Sequence, residues 1–393
     1  MGHEVLGKVG EIADHLKKSS EGACSLGTLD TATVQYMKDA GVVRMLQPKD
    51  FGGYEATPAE FFEAVMEFGK YDAAACWVAG VVGVHPWELA LNDVRLQEEV
   101  WGSDPDTWVA SPYAPSGVAV PVDGGYVFNG RWSFSSGTDH CDWIVLGAKV
   151  GDQNGNPVMP PEMLHIMLPR ADYTIVDDSW NVMGLEGTGS KDVIVKDAFI
   201  PSYRAIDVPR VMDGRAAVEA GRTQPLYRLP WSSVFPNAIG AAMVGICEGV
   251  LNAAIEYHSD RLTVMGSRSL DDPYANSAIA EAASDIRSAR AQLLYNAQEM
   301  YEVVVRGEEV SFAMRAASRR DQIRVAWRAV QAADKVFEHC GGNAIRMDKP
   351  LQRFWRGAHA GLQHAIFTYG PVYDAWTRTA CGQTLDGPMA ATI

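Results

Sequence analysis

No Cys-x-x-Cys pair, no His-Glu-x-x-His run and no paired histidine spacing occurs anywhere in this chain of 393 residues. Its six cysteines, at 24, 76, 141, 247, 340 and 381, are scattered. They suggest neither a metal ligand set nor a disulfide frame, and they read as reduced core residues. A strand-turn-helix Gly-x-Gly-x-x-Gly and a Walker sequence are also missing, which argues against a Rossmann nicotinamide site and a phosphate-cradling loop. No uninterrupted apolar run reaches bilayer-spanning length. The start, Met1-Gly2-His3-Glu4-Val5, has neither the basic nor the apolar region of a signal peptide, and Gly7 stands where a myristoylation signal wants Ser or Thr. A cytoplasmic protein without a membrane partner is expected. Cations are short as well: 34 Lys and Arg against 49 Asp and Glu give a formal net charge of -15. Nucleic acid is therefore an unsuitable partner, because neutralising phosphates requires clustered Lys and Arg.

What is present is a large reserve of apolar side chains, 47% of the chain, enough for roughly two or three lobes sharing one interior. From about Glu4 to Ala110 the pattern is helical, as in Phe61-Phe62-Glu63-Ala64-Val65-Met66-Glu67-Phe68. Between Val118 and Phe134 it turns β-rich, broken by Asp123-Gly124 and Asn129-Gly130, pairs that favour hairpin turns. Asp142 to Gly147, His165 to Pro169 and Asp192 to Val195 continue the strands. From about Trp231 helical spacing returns. Ile279, Ala283, Ile286, Leu293, Ala297 and Met300 form one stripe; Ile323, Ala326, Val330, Ala333, Phe337 and Cys340 form another, ended by Gly341-Gly342. Long facing helices suggest a four-helix bundle. The division expected is a helical part over 1–112, a β part over 113–215 and a helical bundle over 216–393.

Four segments carry more than secondary structure. They are Gly124-Gly125-Tyr126 through Asn129-Gly130 to Phe134-Ser135-Ser136-Gly137; Met183-Gly184-Leu185-Glu186-Gly187-Thr188-Gly189-Ser190-Lys191; Arg261-Leu262-Thr263-Val264-Met265-Gly266; and Gly341-Gly342-Asn343-Ala344. In this order they resemble the flavin-contacting segments of the acyl-CoA dehydrogenase fold, and the resemblance covers essentially the whole chain. It implies an α+β protein with an N-terminal helical domain, a central β-barrel-like domain and a C-terminal four-helix bundle. Met265 and Ala344 depart from the family's Phe and last Gly. A further departure concerns the chemistry. Aligning Arg356 with the Arg of the family's active-site helix puts His364 and Ala365 where the family has Tyr and its catalytic Glu. Without that base the dehydrogenase reaction has no proton acceptor, unless a carboxylate such as Glu248 or Glu256 replaces it.

The details are similar to the aromatic hydroxylase branch, in Gly83-Val84-His85-Pro86-Trp87, Ser111 to Gly117, and Gln352 to Gly361. That branch contains oxygenase components of two-component flavin-dependent monooxygenases, including hydroxylases of a phenolic secosteroid and of 4-hydroxyphenylacetate. The resemblance implies a phenolic substrate converted to a catechol. It also implies reduced FMN or FAD, with FMN slightly favoured, delivered by a separate NAD(P)H-dependent reductase, and a homotetramer. Phe134, Ser135, Ser136, Arg261, Gly341 and Gly342 would hold the flavin. The flavin carries the oxygen chemistry. The protein must exclude water, hold the hydrogen on flavin N5 and take the phenolic proton. Ser136 suits the N5 edge, since a hydroxyl both accepts and donates. His364 and His85 are the candidate acid-base groups, imidazole being the side chain that titrates near neutrality. His85, Trp87, Tyr113 and His364 would face the substrate; His359 would orient its helix. No metal is implied.

Overall fold

The computed structural model describes residues 2–262, 266–385, 387–390 and 393. Six helices come first: α1 (Glu4–Glu11), α2 (Ala13–Leu26), α3 (Thr31–Ala40), α4 (Pro58–Gly69), α5 (Ala73–Leu89) and α6 (Val94–Trp101). Their starts follow local chemistry. Thr57 and Glu60 close a capping box around α4, with Pro58 in its first turn. Asp72 caps α5 by accepting the amides of Ala74 and Ala75 at 2.7 and 3.1 Å. Every residue of α5 is buried, so it shows no polar face and runs through the centre of the molecule. Pro86, inside α5, cannot donate to the Val82 carbonyl and crowds it, which loosens the helix one residue after His85.

The sheet has eight strands: β1 (Val109–Ala110), β2 (Gly117–Val122), β3 (Gly125–Ser135), β4 (Trp143–Val150), β5 (Met163–Pro169), β6 (Thr174–Val176), β7 (Lys191–Pro201) and β8 (Ala205–Asp207). Their order is β6-β7-β3-β2-β4-β5-β8, with β1 beside β4. Asp123-Gly124 makes the hairpin turn between β2 and β3, Gly124 taking φ 78°. Asn129-Gly130 does not turn. It lies inside β3, where the register with β7 shifts between Phe128 and Gly130. Asn129 spends its amide on Asp197, accepting the Asp197 amide at 2.8 Å and donating to its carboxylate at 3.1 Å, so the pair marks a bulge.

Helices resume with α7 (Val208–Met212), α8 (Arg215–Glu219), α9 (Trp231–Asp260), α10 (Pro273–Val305), α11 (Phe312–Glu338), α12 (Pro350–Leu362), α13 (Tyr369–Ala380) and α14 (Gly387–Ala390). α9 packs against α10, α11 and α12 and also against α4 and α5, which joins the two helical regions around one core. By length and composition α9 could cross a bilayer, but 78% of its most apolar window is buried inside the fold, so it is the core helix of the bundle. On α10 the expected stripe holds at Ile286, Leu293, Ala297 and Met300, while its first turns lie one position off. Ile279 and Ala283 are only half-buried, while Ala275, Ala278, Ala282 and Ala289 face the core beside Ile286 and Leu293. Alanines let the long helices approach closely. The cysteines are all free, and Cys381, at the end of α13, is exposed instead of core.

Candidate active site

Where β3 ends against α5, Phe134 adopts φ +67°, a conformation that costs a bulky residue energy. Its ring is 69% exposed and meets Trp180 edge-on, 6.1 Å between centroids. Ser135 and Ser136 turn inward and are buried. Gly137, at φ +71°, sits over Val78 and Val82 of α5, so closely that a Cβ there would lie 3.1–3.2 Å from both. The positive φ favours glycine, and the two valines leave a Cβ little room.

Ser136 ends a directional chain of hydroxyls. The Leu185 carbonyl can only accept, so Thr188 donates to it at 2.8 Å. Having one proton, Thr188 must accept from Ser190 at 2.7 Å, and Ser190 in turn from Ser136 at 2.7 Å. The indole of Trp77 donates to Ser136 Oγ at 3.1 Å. Ser136 therefore gives its proton away, accepts one, and keeps a single free lone pair. Ser135 Oγ, its neighbour, is buried without a partner.

His364 is not on the helix that its register suggested. α12 stops at Leu362, and His364 instead caps a short 3₁₀ turn, its Nδ1 accepting the Ile366 amide at 3.1 Å. Nδ1 being an acceptor, the neutral ring carries its proton on Nε2, which is left as a donor. The ring lies 5.9 Å from that of Trp77. Burial first and the charge of Arg319 second pull its pKa to about 4, so it is neutral at ordinary pH. His359 stays on α12, held 2.7 Å from Asp334, a carboxylate that also accepts from Trp355 at 2.8 Å.

Farther along the same face of α5, three residues and so about 4.5 Å beyond Val82, lies His85. It is completely buried, and burial drives its pKa to about 3. Nδ1 is 3.1 Å from the Tyr113 hydroxyl, while Nε2 has no partner. Phe235 stacks on the imidazole at 6.4 Å, and Trp231 stacks on Phe235 at 4.9 Å. The Tyr113 ring lies 4.6 Å from His165, whose Nδ1 donates to Glu88 at 2.6 Å. Burial pushes the Glu88 carboxyl up, but His165 and the Tyr113 hydroxyl outweigh it and hold the group below its usual value. Burial, with Glu88 adding to it, pushes the Tyr113 phenol well up. Trp87 faces elsewhere, donating to the Leu226 carbonyl at 3.0 Å.

Arg261 donates to the His339 carbonyl at 3.2 Å and crosses the Tyr257 ring at 5.3 Å. It also presses on Gly341 of the same chain, where a Cβ would sit 2.3 Å from the guanidinium. Two of the flavin segments singled out in the sequence thus meet each other within one chain. Gly342 follows as the start of a short 3₁₀ turn. Thr263, Val264 and Met265 lie outside the described residues. Sequence reasoning missed Trp77, Glu88, His165, Ser190, Trp231 and Phe235 as site residues. The bulky apolar spacing of α9 hid Phe235, and no local signal marks Glu88 or His165.

The residues fit a flavin on observations of this structure: an exposed aromatic ring on a strained backbone, a lone pair on Ser136, a free Nε2 donor on His364 and an orphan Ser135 hydroxyl. The family model of the acyl-CoA dehydrogenase C-terminal domain matches residues 237–369, and the fold is that of this class. Over its full length the chain is 52% identical to a pigment production hydroxylase of Rhodococcus erythropolis, covering 100% of each. It is 40% identical to the flavin-dependent monooxygenase oxygenase subunit HsaA of Mycobacterium tuberculosis, over 92% of this chain and 91% of that one. The crystal structure of 3-HSA hydroxylase from Rhodococcus sp. RHA1 superposes with a TM-score of 0.93 at 38% identity, over 98% of this chain and 99% of that one. The chain belongs to the flavin-dependent monooxygenases, as an oxygenase component.

Proposed function

We propose that the protein uses reduced flavin and O2 to hydroxylate a phenol ortho to its hydroxyl, giving a catechol, and that the favoured substrate is a phenolic secosteroid. A simpler phenol such as 4-hydroxyphenylacetate is the other candidate. The kinship to HsaA and to the 3-HSA hydroxylase supports the first; a p-hydroxyphenylacetate 3-hydroxylase oxygenase component, 27% identical, supports the second. Reduced FMN or FAD comes from a separate NAD(P)H-dependent reductase. Exposed Tyr274, Tyr295, Ile345 and Met347 on the C-terminal helices and their connections support a homotetramer.

The carrying observation is that α5 presents Trp77, which donates to Ser136 and lies beside His364, and about two turns farther along the buried His85. When bound, reduced flavin supplies the oxygen activation. With its remaining lone pair Ser136 would accept the hydrogen on flavin N5. His364 would offer Nε2–H on the side where oxygen reacts. His85 is the acceptor for the phenolic proton: with its Nδ1–H donated to the Tyr113 oxygen 3.1 Å away, Nε2 is left with a lone pair in a dry pocket. Phe235, Trp231 and Tyr113 wall that pocket for an aromatic ring. A dehydrogenase with a relocated base is disfavoured, since Glu248 is tied to Arg290 at 3.4 Å and Glu256 is exposed. The test is turnover of a panel of phenols with chemically reduced FMN or FAD and air, scored as catechol. No catechol from any phenol refutes the reading, and so does NADH oxidation by the isolated chain.

A further inference from the structure

Arg319, on α11, is 4% exposed, and no ion pair satisfies it among the described residues. Its Nη1 donates to Gln322 Oε1, Nη2 reaches the Ile366 carbonyl at 3.4 Å, and Nε has no partner. A guanidinium has five donors in a fixed fork, so most remain unused. Burial pulls its pKa to about 10, which still leaves it a cation at neutral pH. A lone buried charge is costly and persists where an anion completes it.

The neighbourhood is unfinished in the same way. Across from Arg319, α9 presents Asn237, whose amide nitrogen donates to the Ser233 carbonyl at 3.0 Å and to Ser318 Oγ at 3.3 Å. Among the described residues its Oδ1 has no partner, and neither does Gln322 Nε2. Gln322 packs directly over Gly240, where a Cβ would come within 3.2 Å of its side chain. The cluster is continuous with the candidate site. Ile366 gives its carbonyl to Arg319 and its amide to His364 Nδ1, so one residue joins the unused guanidinium donors to the imidazole with the free Nε2–H.

We infer that Arg319 is the counter-ion of the phenolate left once the phenolic proton has gone to His85, which it binds together with His364. This rests on the phenol-hydroxylase reading and deepens it: the enzyme favours the more acidic phenols, which give up that proton most readily and whose ionised ring is the better nucleophile. The probes are phenols carrying increasing numbers of ring fluorines, which grow more acidic at nearly constant size. Their binding at pH 7 to the full chain with oxidised FMN is followed by 19F NMR, whose shift separates phenol from phenolate. The wild type is expected to bind the most acidic members at least about tenfold tighter than the least acidic, with bound shifts of the phenolate. Arg319→Met should lose that preference, binding the acidic phenols roughly 10- to 100-fold more weakly, the loss expected for a charge-assisted hydrogen bond. Its thermal midpoint should be equal or higher, because an unpaired buried charge has been removed. Arg319→Lys keeps the cation and should retain part of the preference, which carries the test if the Met protein does not fold.

A neutral bound phenol in the wild type, or an acidity preference that survives Arg319→Met or is wholly lost in a folded Arg319→Lys, overturns the inference. So does a lowered thermal midpoint in Arg319→Met with binding unchanged, which is the mark of a structural arginine. If neutral phenols are bound and hydroxylated, only this inference fails. If no phenol binds the wild type, the phenol reading fails with it.

Discussion

Replacing Ser136 by Ala removes three things at once, and the structure gives each a size. The indole N–H of Trp77, 3.1 Å from the lost oxygen and buried, becomes an unsatisfied donor at a cost of about 1–3 kcal/mol in stability. Ser190 loses its incoming proton but keeps Thr188, so the rest of the chain survives. The free lone pair also goes. If it holds the flavin N5 hydrogen, the loss of one ordinary hydrogen bond, about 0.5–1.5 kcal/mol, should speed non-productive escape of oxygen between about twofold and tenfold. The assay is the ratio of hydrogen peroxide released to catechol formed at saturating phenol, beside a urea titration. Trp77→Phe is the control, since it deletes the N–H without orphaning it and leaves the lone pair of Ser136 in place. It should cost less stability and keep the coupling ratio. Wild-type coupling in Ser136→Ala would refute the placement of the flavin edge at Ser136. Equal uncoupling in Trp77→Phe would show that packing, not the lone pair, carries the effect.

His364→Ala should slow single-turnover hydroxylation roughly 100-fold, the size seen when one donor to a developing charge is removed, while reduced-flavin affinity stays within about twofold; an unchanged rate makes His364 structural. Acid should destabilise the fold through His85 and His364. Their folded pKa values, about 3 and about 4, lie below the unfolded value of about 6.5, so the unfolded chain binds more protons between them. Their contribution is whole above about pH 6.5 and is lost as pH falls, by up to about 1.4 kcal/mol per pH unit for each histidine. Urea midpoints from pH 7 to 4.5 should drop less steeply in His85→Gln; an equal slope would mean that His85 is not buried neutral. Gly341→Ala combines a positive φ with a methyl on the Arg261 guanidinium, and should weaken reduced-flavin binding roughly tenfold by titration, a charge-assisted contact being lost, with phenol affinity unaffected.

The order of helical, β and helical segments is written in local periodicity, and so are the turn at Asp123-Gly124 and the glycine at 137. Motif order identified the fold and the flavin, because the residues that shape backbone against a cofactor are contiguous in sequence. Ser136, His85 and His364 are singled out in sequence for that reason. Their partners are not. Trp77 and Ser136 are 59 residues apart, Glu88 and His165 are 77, and α5, apolar throughout, carries no periodic signal of which face meets the sheet. Asn129-Gly130 and the register of His364 went the other way for a physical reason each. A strand partner that satisfied Asn129 turned a hairpin signal into a bulge, and a side-chain cap on the Ile366 amide ended α12 before His364. Arg319 is the clearest case of what only tertiary structure decides: as a letter it reads as a surface cation on a helix, and it becomes an unpaired interior charge because α9 and the turn after α12 close over it.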